Sequence, residues 1–428
     1  MSTSQEPEFD LVVIGAGIVG VSCALWANMR GMKVLLVDGN EPGSGASYGN
    51  AGTIATYACI PINNPSILTD LPRLLFSRDS PLEFKWAYAL RHLPWMFSFL
   101  RNCTPERVRN TIDSLGSLLA HSDAGLDPLI EEAQCQDLLV ENNCLYVWSS
   151  KESFEKARPS NDARVRNGVD LDVLDEQQIR ALEPNLKLPL YRGLLYKGAR
   201  FVRDPEALVR RLHARFVERG GIWKKANAQQ VLPFDDKVEV VLENGEQTTC
   251  NKVVVAAGAH AKSIEGAGVD QLPLETERGY HILYKNRGHI ISRPVGWADA
   301  GFYATPMEMG LRIAGTVEIA GLDPSINRGR IKYLANKAQA MFGDLGKHDE
   351  EWLGFRPTFP DALPAIGPAR NSTRILHAFG HQHIGLTLGG ITGRIIADLA
   401  EDRKPNFDIS AFDPGRFSQD RKLFQLSG

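Results

Sequence analysis

The sequence lacks the features that would place the protein within a membrane or on nucleic acid. No run of about 20 apolar residues is long enough to span a bilayer. Residues 1–10 are polar and acidic, without the basic and apolar regions of a secretory signal. The net charge is −3 and the pI is about 6.4, so no basic surface for nucleic acid is indicated. We therefore expect a cytoplasmic protein that does not bind nucleic acid.

Cysteine is also scarce, and its spacing excludes the usual metal sites. The six cysteines form no C-x-x-C pair and match no iron–sulfur spacing, which favours a reducing compartment. His381 and His383 have one residue between them, but without a neighbouring cysteine or acid they make poor ligand geometry. We expect no bound metal.

A dinucleotide-binding fingerprint lies near the amino terminus. The apolar strand Val12–Ile14 leads into Gly15-x-Gly17-x-x-Gly20, and the next apolar run ends at Asp38. Gly15 allows a tight turn, Gly17 a close approach to a pyrophosphate, and Gly20 close packing of the helix on the strand. The helix N-terminus offers free N–H groups to phosphates, and Asp38 can accept hydrogen bonds from a ribose diol. The backbone donors of this turn belong to Gly17, Ile18 and Val19.

The segment after Asp38 indicates which dinucleotide is bound. Residues 43–52 are rich in glycine, typical either of a mobile linker or of backbone lying against a large flat group. Here the sequence resembles the FAD-dependent amino-acid oxidoreductases, the family of D-amino-acid oxidase, glycine and sarcosine oxidases and bacterial D-amino-acid dehydrogenase. The dehydrogenase branch is the most similar, although glutamate is common there at the position of Asp38. The resemblance implies FAD as cofactor and a loop along the flavin that contains Ser47, Gly49, Asn50, Ala51 and Gly52.

The resemblance places further segments at the flavin. A buried strand at 253–260 ends in small residues, which would let the backbone of Ala257 and Gly258 reach the dinucleotide. Val231, in a preceding strand, is also expected to contact the cofactor. Near the carboxyl terminus a glycine-rich turn precedes a helix at 392–399, whose N-terminus would face the electron-rich edge of a reduced flavin. This turn contributes Gly380, His383, Gly385, Leu386 and Thr387.

Three residues are predicted to act on the substrate. Arg356, in Gly-Phe-Arg-Pro, matches the arginine of the family that binds the substrate carboxylate through two parallel charge-assisted bonds. Tyr303, in Tyr-x-x-Pro, resembles the tyrosine that hydrogen-bonds the same carboxylate, and His381 is expected to line the flavin site. The alternatives are a salt bridge at a domain boundary for Arg356, a half-buried strand residue for Tyr303 and a structural role for His381.

The order of the predicted elements indicates an α/β fold with two interleaved domains. We expect a Rossmann-like, glutathione-reductase-type FAD-binding domain formed by residues 1–80, 195–270 and 345–428. Residues 81–194 and 271–344 would form an α+β substrate-binding domain built on a mainly antiparallel sheet.

The segment Pro81–Arg101 combines aromatic and basic side chains. Such a stripe is typical of a helix face packed in a core, and Pro94 interrupts it. The same composition allows peripheral contact with the inner face of the cell membrane. Both interpretations stay open.

The resemblance covers nearly the whole chain and implies an oxidoreductase of amino-acid catabolism. The predicted reaction is hydride transfer from Cα of a D-amino acid to flavin N5, without a protein base, giving an imine or 2-oxo acid. The strand Glu277–His281 and the Gly-His-Gln-His turn resemble those of enzymes that act on D-proline or hydroxy-D-proline. Electrons would pass to a quinone or to oxygen. Two alternatives stay open: an oxygen-using oxidase of glycine, sarcosine or another secondary amine, and a flavin subunit of an electron-transfer complex.

Overall fold

The computed structural model describes residues 6–65, 82–84, 88 and 92–419. Within these residues the strands form an eight-stranded, a nine-stranded and a three-stranded sheet. The strands are β1 (Phe9–Ile14), β2 (Val34–Asp38), β3 (Thr53–Ile54), β4 (Leu82–Phe84), β5 (Leu139–Glu141), β6 (Cys144–Trp148), β7 (Leu171–Leu174), β8 (Arg192–Tyr196), β9 (Arg200–Val202), β10 (Ile222–Lys225), β11 (Ala228–Pro233), β12 (Val238–Leu242), β13 (Gln247–Val255), β14 (Glu275–Lys285), β15 (Val295–Trp297), β16 (Phe302–Met307), β17 (Gly310–Ile319), β18 (Glu350–Thr358), β19 (Ala365–Ala369) and β20 (Ser372–Phe379). The helices are α1 (Ile18–Met29), α2 (Leu93–Arg101), α3 (Pro105–Leu119), α4 (Ser122–Glu132), α5 (Lys151–Lys156), α6 (Arg158–Arg166), α7 (Glu176–Leu182), α8 (Pro205–Glu218), α9 (Arg328–Phe342) and α10 (Gly385–Ala400).

The first sheet contains the parallel strands that the fingerprint predicts. β10, β2, β1, β13 and β20 lie side by side in that order and run parallel. The central strand β1 is apolar because both faces of the sheet are covered. Val13 packs in a core shared with α1 and α10, and Val12 packs in a separate core on the other face. The expected Rossmann-like α/β architecture is confirmed.

The second sheet is mainly antiparallel, as predicted. β18, β14, β17, β16 and β15 are antiparallel neighbours in this order, while β6 pairs with β15 and β4 with β17 in parallel. Ten of the eleven residues of β14 are buried. This strand contacts α9, and His281 on it reaches the glycine-rich loop of the nucleotide-binding part. The large sheet therefore lies directly against the loop predicted to hold the flavin.

Two segments pack differently from the predicted division into domains. α3 and α4 lie in the same core as α1 and α10, because residues such as Ile112 and Leu126 turn toward those helices. β18 belongs to the antiparallel sheet, where it pairs with β14 along nine residues. Residues 105–132 thus pack with the nucleotide-binding part, and residues 350–358 with the substrate-side sheet.

The aromatic segment before residue 101 is partly packed and partly exposed. On α2, Trp95 and Phe99 are buried, and the Trp95 indole donates a hydrogen bond to the carbonyl of Pro273. On the same helix Leu93 is 56% and Phe97 61% exposed. Residues 81, 85–87 and 89–91 lie outside the described residues. Within the described part of the chain no helix is long and apolar enough to cross a membrane.

Candidate active site

The turn after β1 is shaped by two glycines that no other residue could replace without displacement. A Cβ at Gly20 would stand 1.8 Å from the carbonyl oxygen of Gly15, so α1 packs directly on the turn. Gly15 has a φ of +111°, and a Cβ there would lie 2.5 Å from the carbonyl oxygen of Ala256, at the end of β13. The strand end that leads to Ala257 and Gly258 therefore touches the glycine turn after β1. Both residues are half-buried.

Asp38 is held in place beside this turn. Its Oδ2 accepts a hydrogen bond from the N–H of Ala16 at 2.7 Å, and its Oδ1 accepts one from Asn40 at 2.8 Å. Each carboxylate oxygen keeps lone pairs for a ribose diol. On the other side of the turn, the Ser47 hydroxyl accepts a hydrogen bond from the N–H of Ile18 at 2.9 Å. The glycine-rich loop is thereby fixed against the N-terminus of α1.

Polar side chains of the antiparallel sheet hold the backbone of the same loop. The Nη1 group of Arg312 donates to the carbonyls of Tyr48 and Asn50, each at 2.9 Å. The Thr305 hydroxyl donates to the carbonyl of Ala51 at 2.8 Å, and the Asn50 Oδ1 accepts from Gly52. The loop conformation is therefore fixed both from the sheet and by the Asn50 side chain within the loop.

The stacked rings of His281 and Trp352 pack against the glycine-rich loop at Gly49. His281 Nδ1 lies 3.0 Å from the carbonyl of Gly49, and its ring stacks on Trp352 with centroids 5.1 Å apart. A Cβ at Gly49 would stand 2.3 Å from the Trp352 ring, so only glycine fits. Burial and the nearby Arg312 lower the pKa of His281 to about 3, so its imidazole is neutral. A neutral ring with Nδ1–H can donate to the carbonyl.

The N-terminus of α10 faces this loop. Thr387, in its first turn, accepts a hydrogen bond from the N–H of Ala55 at 2.9 Å. The first turn contains no acidic residue, so no carboxylate of that turn offsets the partial positive charge at the helix N-terminus. The turn that begins with Gly380 (φ +88°) leads into α10 at Gly385, seven residues before the predicted helix start at Thr392, because the glycines of this segment continue the helix and pack closely on α1. Glycine turn, ribose acid, small-residue loop and helix N-terminus together fit a flavin dinucleotide.

Arg356 lies on β18 next to the helix start. Its Nη1 donates to the carbonyl of Thr316 at 3.1 Å, the single hydrogen bond it makes within the described residues. Its charge acts on His383, and burial together with Arg356 lowers the pKa of this histidine to about 4. His383 is exposed to solvent. Arg356 and His383 are therefore neighbours in an open polar region.

Glu277 is a further member of the site that the sequence did not single out. It pairs with Arg356 in the β14–β18 ladder and is 1% exposed. Neither carboxylate oxygen takes a hydrogen bond of good geometry within the described residues. Burial raises the pKa of Glu277, and the positive charge of Arg356 opposes that shift. Only strand pairing brings these two residues together, so no motif could indicate it.

Tyr303 points to the same side of the sheet as the loop contacts. It lies two residues before Thr305 on β16, and alternate residues of a strand share a face. Its ring lies 5.5 Å from that of Tyr146. Burial raises the pKa of Tyr303 well above its usual value, so the phenol is neutral and can donate a hydrogen bond.

Two predicted site residues have other partners in the structure. His381 is 3% exposed, its Nε2 lies 2.9 Å from the Thr392 hydroxyl, and burial lowers its pKa to about 3. It therefore fixes the turn to α10, whereas the neighbouring His383 is exposed. Val231 is fully buried, and its N–H donates to the carbonyl of Glu265 at 2.8 Å. Because this donor is taken, Val231 offers the cofactor no free N–H.

The loop contacts of His281, Thr305, Arg312 and Trp352 were also missed at the level of sequence. His281 lies in the strand Glu277–His281, which the sequence linked only to substrate choice, and Arg312 sits opposite Thr305 in the β16–β17 ladder. Register between distant strands decides these contacts, and no local pattern signals them. Within the described residues, no group of His, Cys, Asp and Glu side chains could hold a metal ion.

Comparison with known proteins gives consistent results. The family model of FAD dependent oxidoreductases matches residues 10–399. The chain is 36% identical over 420 residues to a D-amino-acid oxidase of Bradyrhizobium diazoefficiens, covering 95% of this chain and 98% of the relative. It is 26% identical to a D-amino acid dehydrogenase of Helicobacter pylori, covering 94% and 98%.

Solved structures with the same fold include enzymes with different named substrates. Glycine oxidase from Geobacillus kaustophilus superposes with a TM-score of 0.75 at 20% identity, covering 95% of this chain and 98% of that one. L-Proline dehydrogenase from P. horikoshii superposes with a TM-score of 0.73 at 17% identity, covering 96% and 97%. At these identities the likeness establishes the fold.

Proposed function

The chain belongs to the FAD dependent oxidoreductase family, and from this premise we propose that it oxidises a D-amino acid at Cα. The product is an imino acid, which water hydrolyses to a 2-oxo acid when the nitrogen is primary. The flavin, when bound, accepts the hydride at N5. The protein supplies binding, orientation and exclusion of water.

The position of Arg356 carries the proposal. Its Nη1 is anchored on the carbonyl of Thr316, and its other N–H groups have no hydrogen-bond partner within the described residues. A guanidinium offers two parallel N–H donors that match a carboxylate, which fixes the plane of the bound amino acid. Tyr303 lies on the loop side of the same sheet and is the proposed second donor to the substrate.

Among the described residues beside Arg356, His383 is a weak base and Glu277 is 1% exposed, which suits hydride transfer from a neutral amine without a protein base. With a pKa of about 4, His383 is neutral and only weakly basic at pH 7. Positioning alone contributes several kcal/mol when the reacting atoms lie within about 3.5 Å. The residues therefore act by holding Cα–H toward the flavin.

The electron acceptor is a quinone or oxygen, and one surface feature favours the quinone. Leu93 and Phe97 lie four residues apart on α2 and are exposed. Two large apolar side chains on one helix face can enter a bilayer surface, where quinones are dissolved. We propose a cytoplasmic enzyme that contacts the inner face of the membrane through this helix.

Anaerobic reduction of the flavin tests the proposal. The purified holoenzyme is mixed with D- and L-alanine, D- and L-proline, hydroxy-D-proline, glycine and sarcosine, and bleaching near 450 nm is followed over time. Bleaching by D-isomers supports the proposal, and the fastest substrate identifies the class. Bleaching by glycine or sarcosine alone would assign the protein to the secondary amine oxidases. A flavin that no amino acid reduces would contradict the proposal and leave a role in electron transfer.

The variant Arg356→Lys sharpens this test. Lysine keeps the charge but lacks the planar fork, so we expect kcat/KM for the best D-amino acid to fall about 100-fold or more. The matching amide, which has no carboxylate, is the control substrate and should lose little. Equal losses on both substrates would exclude the carboxylate clamp.

A further inference from the structure

A second arginine stands among tyrosines on the substrate side of the protein. Arg164, on α6, lies with its Cζ 5.7 Å from the ring centre of Tyr196. Tyr196 stacks on Tyr57 with centroids 4.0 Å apart and an angle of 5°. The rings of Tyr146 and Tyr303 adjoin this pair, and the charge of Arg164 acts on the side chains of both. We call Arg164, Tyr57, Tyr146, Tyr196 and Tyr303 the tyrosine–arginine cluster.

Arg164 has no acidic partner. Within the described residues its one hydrogen bond runs from Nη1 to Oδ1 of Asn161 at 2.9 Å, and no carboxylate oxygen lies within 4 Å. The Nε group is buried without a partner. A partly buried cation without a counter-ion is costly, because most charges withdrawn from water in proteins are paired. Since the described residues supply no carboxylate to Arg164, this arrangement points to an anionic ligand.

Two more polar atoms beside Arg164 have no hydrogen-bond partner within the described residues. The hydroxyl of Tyr196 is buried without a partner, in a residue that is 1% exposed. The Nδ2 group of Asn161 is also buried without a partner, in a residue that is 9% exposed. Buried polar groups are nearly always hydrogen-bonded, so three adjacent unpartnered ones indicate a polar ligand.

The tyrosines do not neutralise Arg164. Burial raises the pKa of Tyr57, Tyr146, Tyr196 and Tyr303, so these phenols keep their protons at neutral pH. The Tyr57 hydroxyl donates to Cys144 Sγ at 3.1 Å. The other three hydroxyls can donate hydrogen bonds to an anion, and none of the four carries a negative charge. The cluster is thus a positively charged set of donors.

The cluster adjoins the proposed flavin site at two points. Tyr303 shares its strand face with Thr305, whose hydroxyl binds the carbonyl of Ala51 in the loop. Tyr57 lies two residues after Ala55, whose N–H binds Thr387 in the first turn of α10. Arg164, Tyr146 and Tyr303 are each only partly buried, so the cluster is not sealed from solvent.

We propose that the tyrosine–arginine cluster binds a second carboxylate at the far end of the substrate, and that the enzyme prefers dicarboxylic D-amino acids. The inference rests on the proposed function and specifies its substrate class. Arg356 binds the α-carboxylate, and Arg164 binds the distal one. The neutral hydroxyls of Tyr146 and Tyr196 complete the hydrogen bonds of the distal group.

Steady-state kinetics with isosteric pairs tests the proposal. D-Glutamate is compared with D-glutamine, and D-aspartate with D-asparagine, because each pair differs in distal charge and hardly in shape. We expect the wild type to favour the acid by about tenfold or more in kcat/KM. Arg164→Met should remove this preference by lowering kcat/KM for the acid, while the amide changes less than about threefold.

Arg166→Met is the matched control, since Arg166 is exposed on the same helix. It should retain the preference for the acid. A wild type that uses the amide as well as the acid, or an Arg164→Met variant that loses both equally, would overturn the inference. FAD content and melting temperature are measured for each variant, so that misfolding is recognised.

A titration of the wild type gives a second readout that needs neither a variant nor turnover. Glutarate and butyrate are added to the holoenzyme, and the perturbation of the flavin spectrum yields Kd. We expect glutarate to bind about tenfold or more tightly than butyrate. Equal affinities would overturn the inference. If D-alanine reduces the flavin while D-glutamate does not, this inference fails and the proposed function stands; if no D-amino acid reduces it, the proposed function fails, and the titration still decides the distal site.

Discussion

Gly279 on β14 leaves the space in which the guanidinium of Arg356 lies. A Cβ at position 279 would stand 2.4 Å from Arg356 Cζ and 2.4 Å from its Nη2, closer than real contacts allow. Gly279 is opposite Gly354 in the ladder, where a Cβ would instead meet the Trp352 ring at 1.8 Å. The absence of a side chain at position 279 therefore positions the proposed substrate-binding arginine.

Replacing Gly279 with alanine should displace Arg356 without changing its charge. A shift of about 1 Å in a positioning group can lower activity about 100-fold, so we expect kcat/KM for the best D-amino acid to fall by that order. Gly45→Ala is the matched control, because a Cβ there meets no atom within 4 Å. Unchanged kinetics in Gly279→Ala would show that Arg356 does not contact the substrate.

Asp38→Ala should weaken FAD binding. The substitution removes the acceptor for the N–H groups of Ala16 and Asn40 and the proposed ribose contact. Hydrogen bonds to a charged group contribute about 1.5–3 kcal/mol each, so Kd for FAD should rise about tenfold or more, as measured by fluorescence of released flavin. Asp10→Ala is the control, since Asp10 also accepts a backbone N–H, from Lys33, but at the exposed end of β1. Equal FAD retention in both variants would contradict the assignment.

Glu277→Gln should increase the affinity of Arg356 for an external carboxylate. Glu277 is the one acid whose charge acts on the pKa of Arg356, and the glutamine removes that competing negative charge. A saturating monocarboxylate such as butyrate should then raise the melting temperature more in the variant than in the wild type, because tighter binding stabilises the folded state more. A smaller rise would indicate that Glu277 orients Arg356 for binding.

Acidification should destabilise the protein below about pH 6.5. Burial lowers the pKa of His281 and His381 to about 3 and of His377 to about 4. Between pH 6.5 and about 4 the unfolded chain binds protons that the folded protein does not, so stability falls as the pH falls. Above pH 6.5 these groups are neutral in both states and contribute no pH dependence.

The urea midpoint measured between pH 7.5 and 5 checks this expectation. Each histidine contributes a slope of at most about 1.4 kcal/mol per pH unit. His377→Gln should reduce the slope, and the same change at the exposed His289 serves as the control. A stability that rises on acidification would contradict the neutral, buried assignment of these rings.

The sequence by itself determined the nucleotide-binding half of the site. The glycine turn, the buried strand and Asp38 are local in the chain, and their hydrogen bonds follow from strand–turn–helix geometry. Arg356 was also recognisable, because it stands in a short motif. The boundaries between the domains stay a prediction. In the structure α3 and α4 pack with the nucleotide-binding part, and β18 pairs within the substrate-side sheet.

The tertiary structure alone decided which polar residues face the cleft. Glu277, His281 and Arg312 reach the site through pairing between strands that are distant in sequence. The tyrosine–arginine cluster brings together side chains from positions 57 to 303. In the turn before α10, His381 is buried beside Thr392, whereas His383 is exposed. Pairing register and burial depend on the whole fold, whereas a motif reports only its own turn or strand.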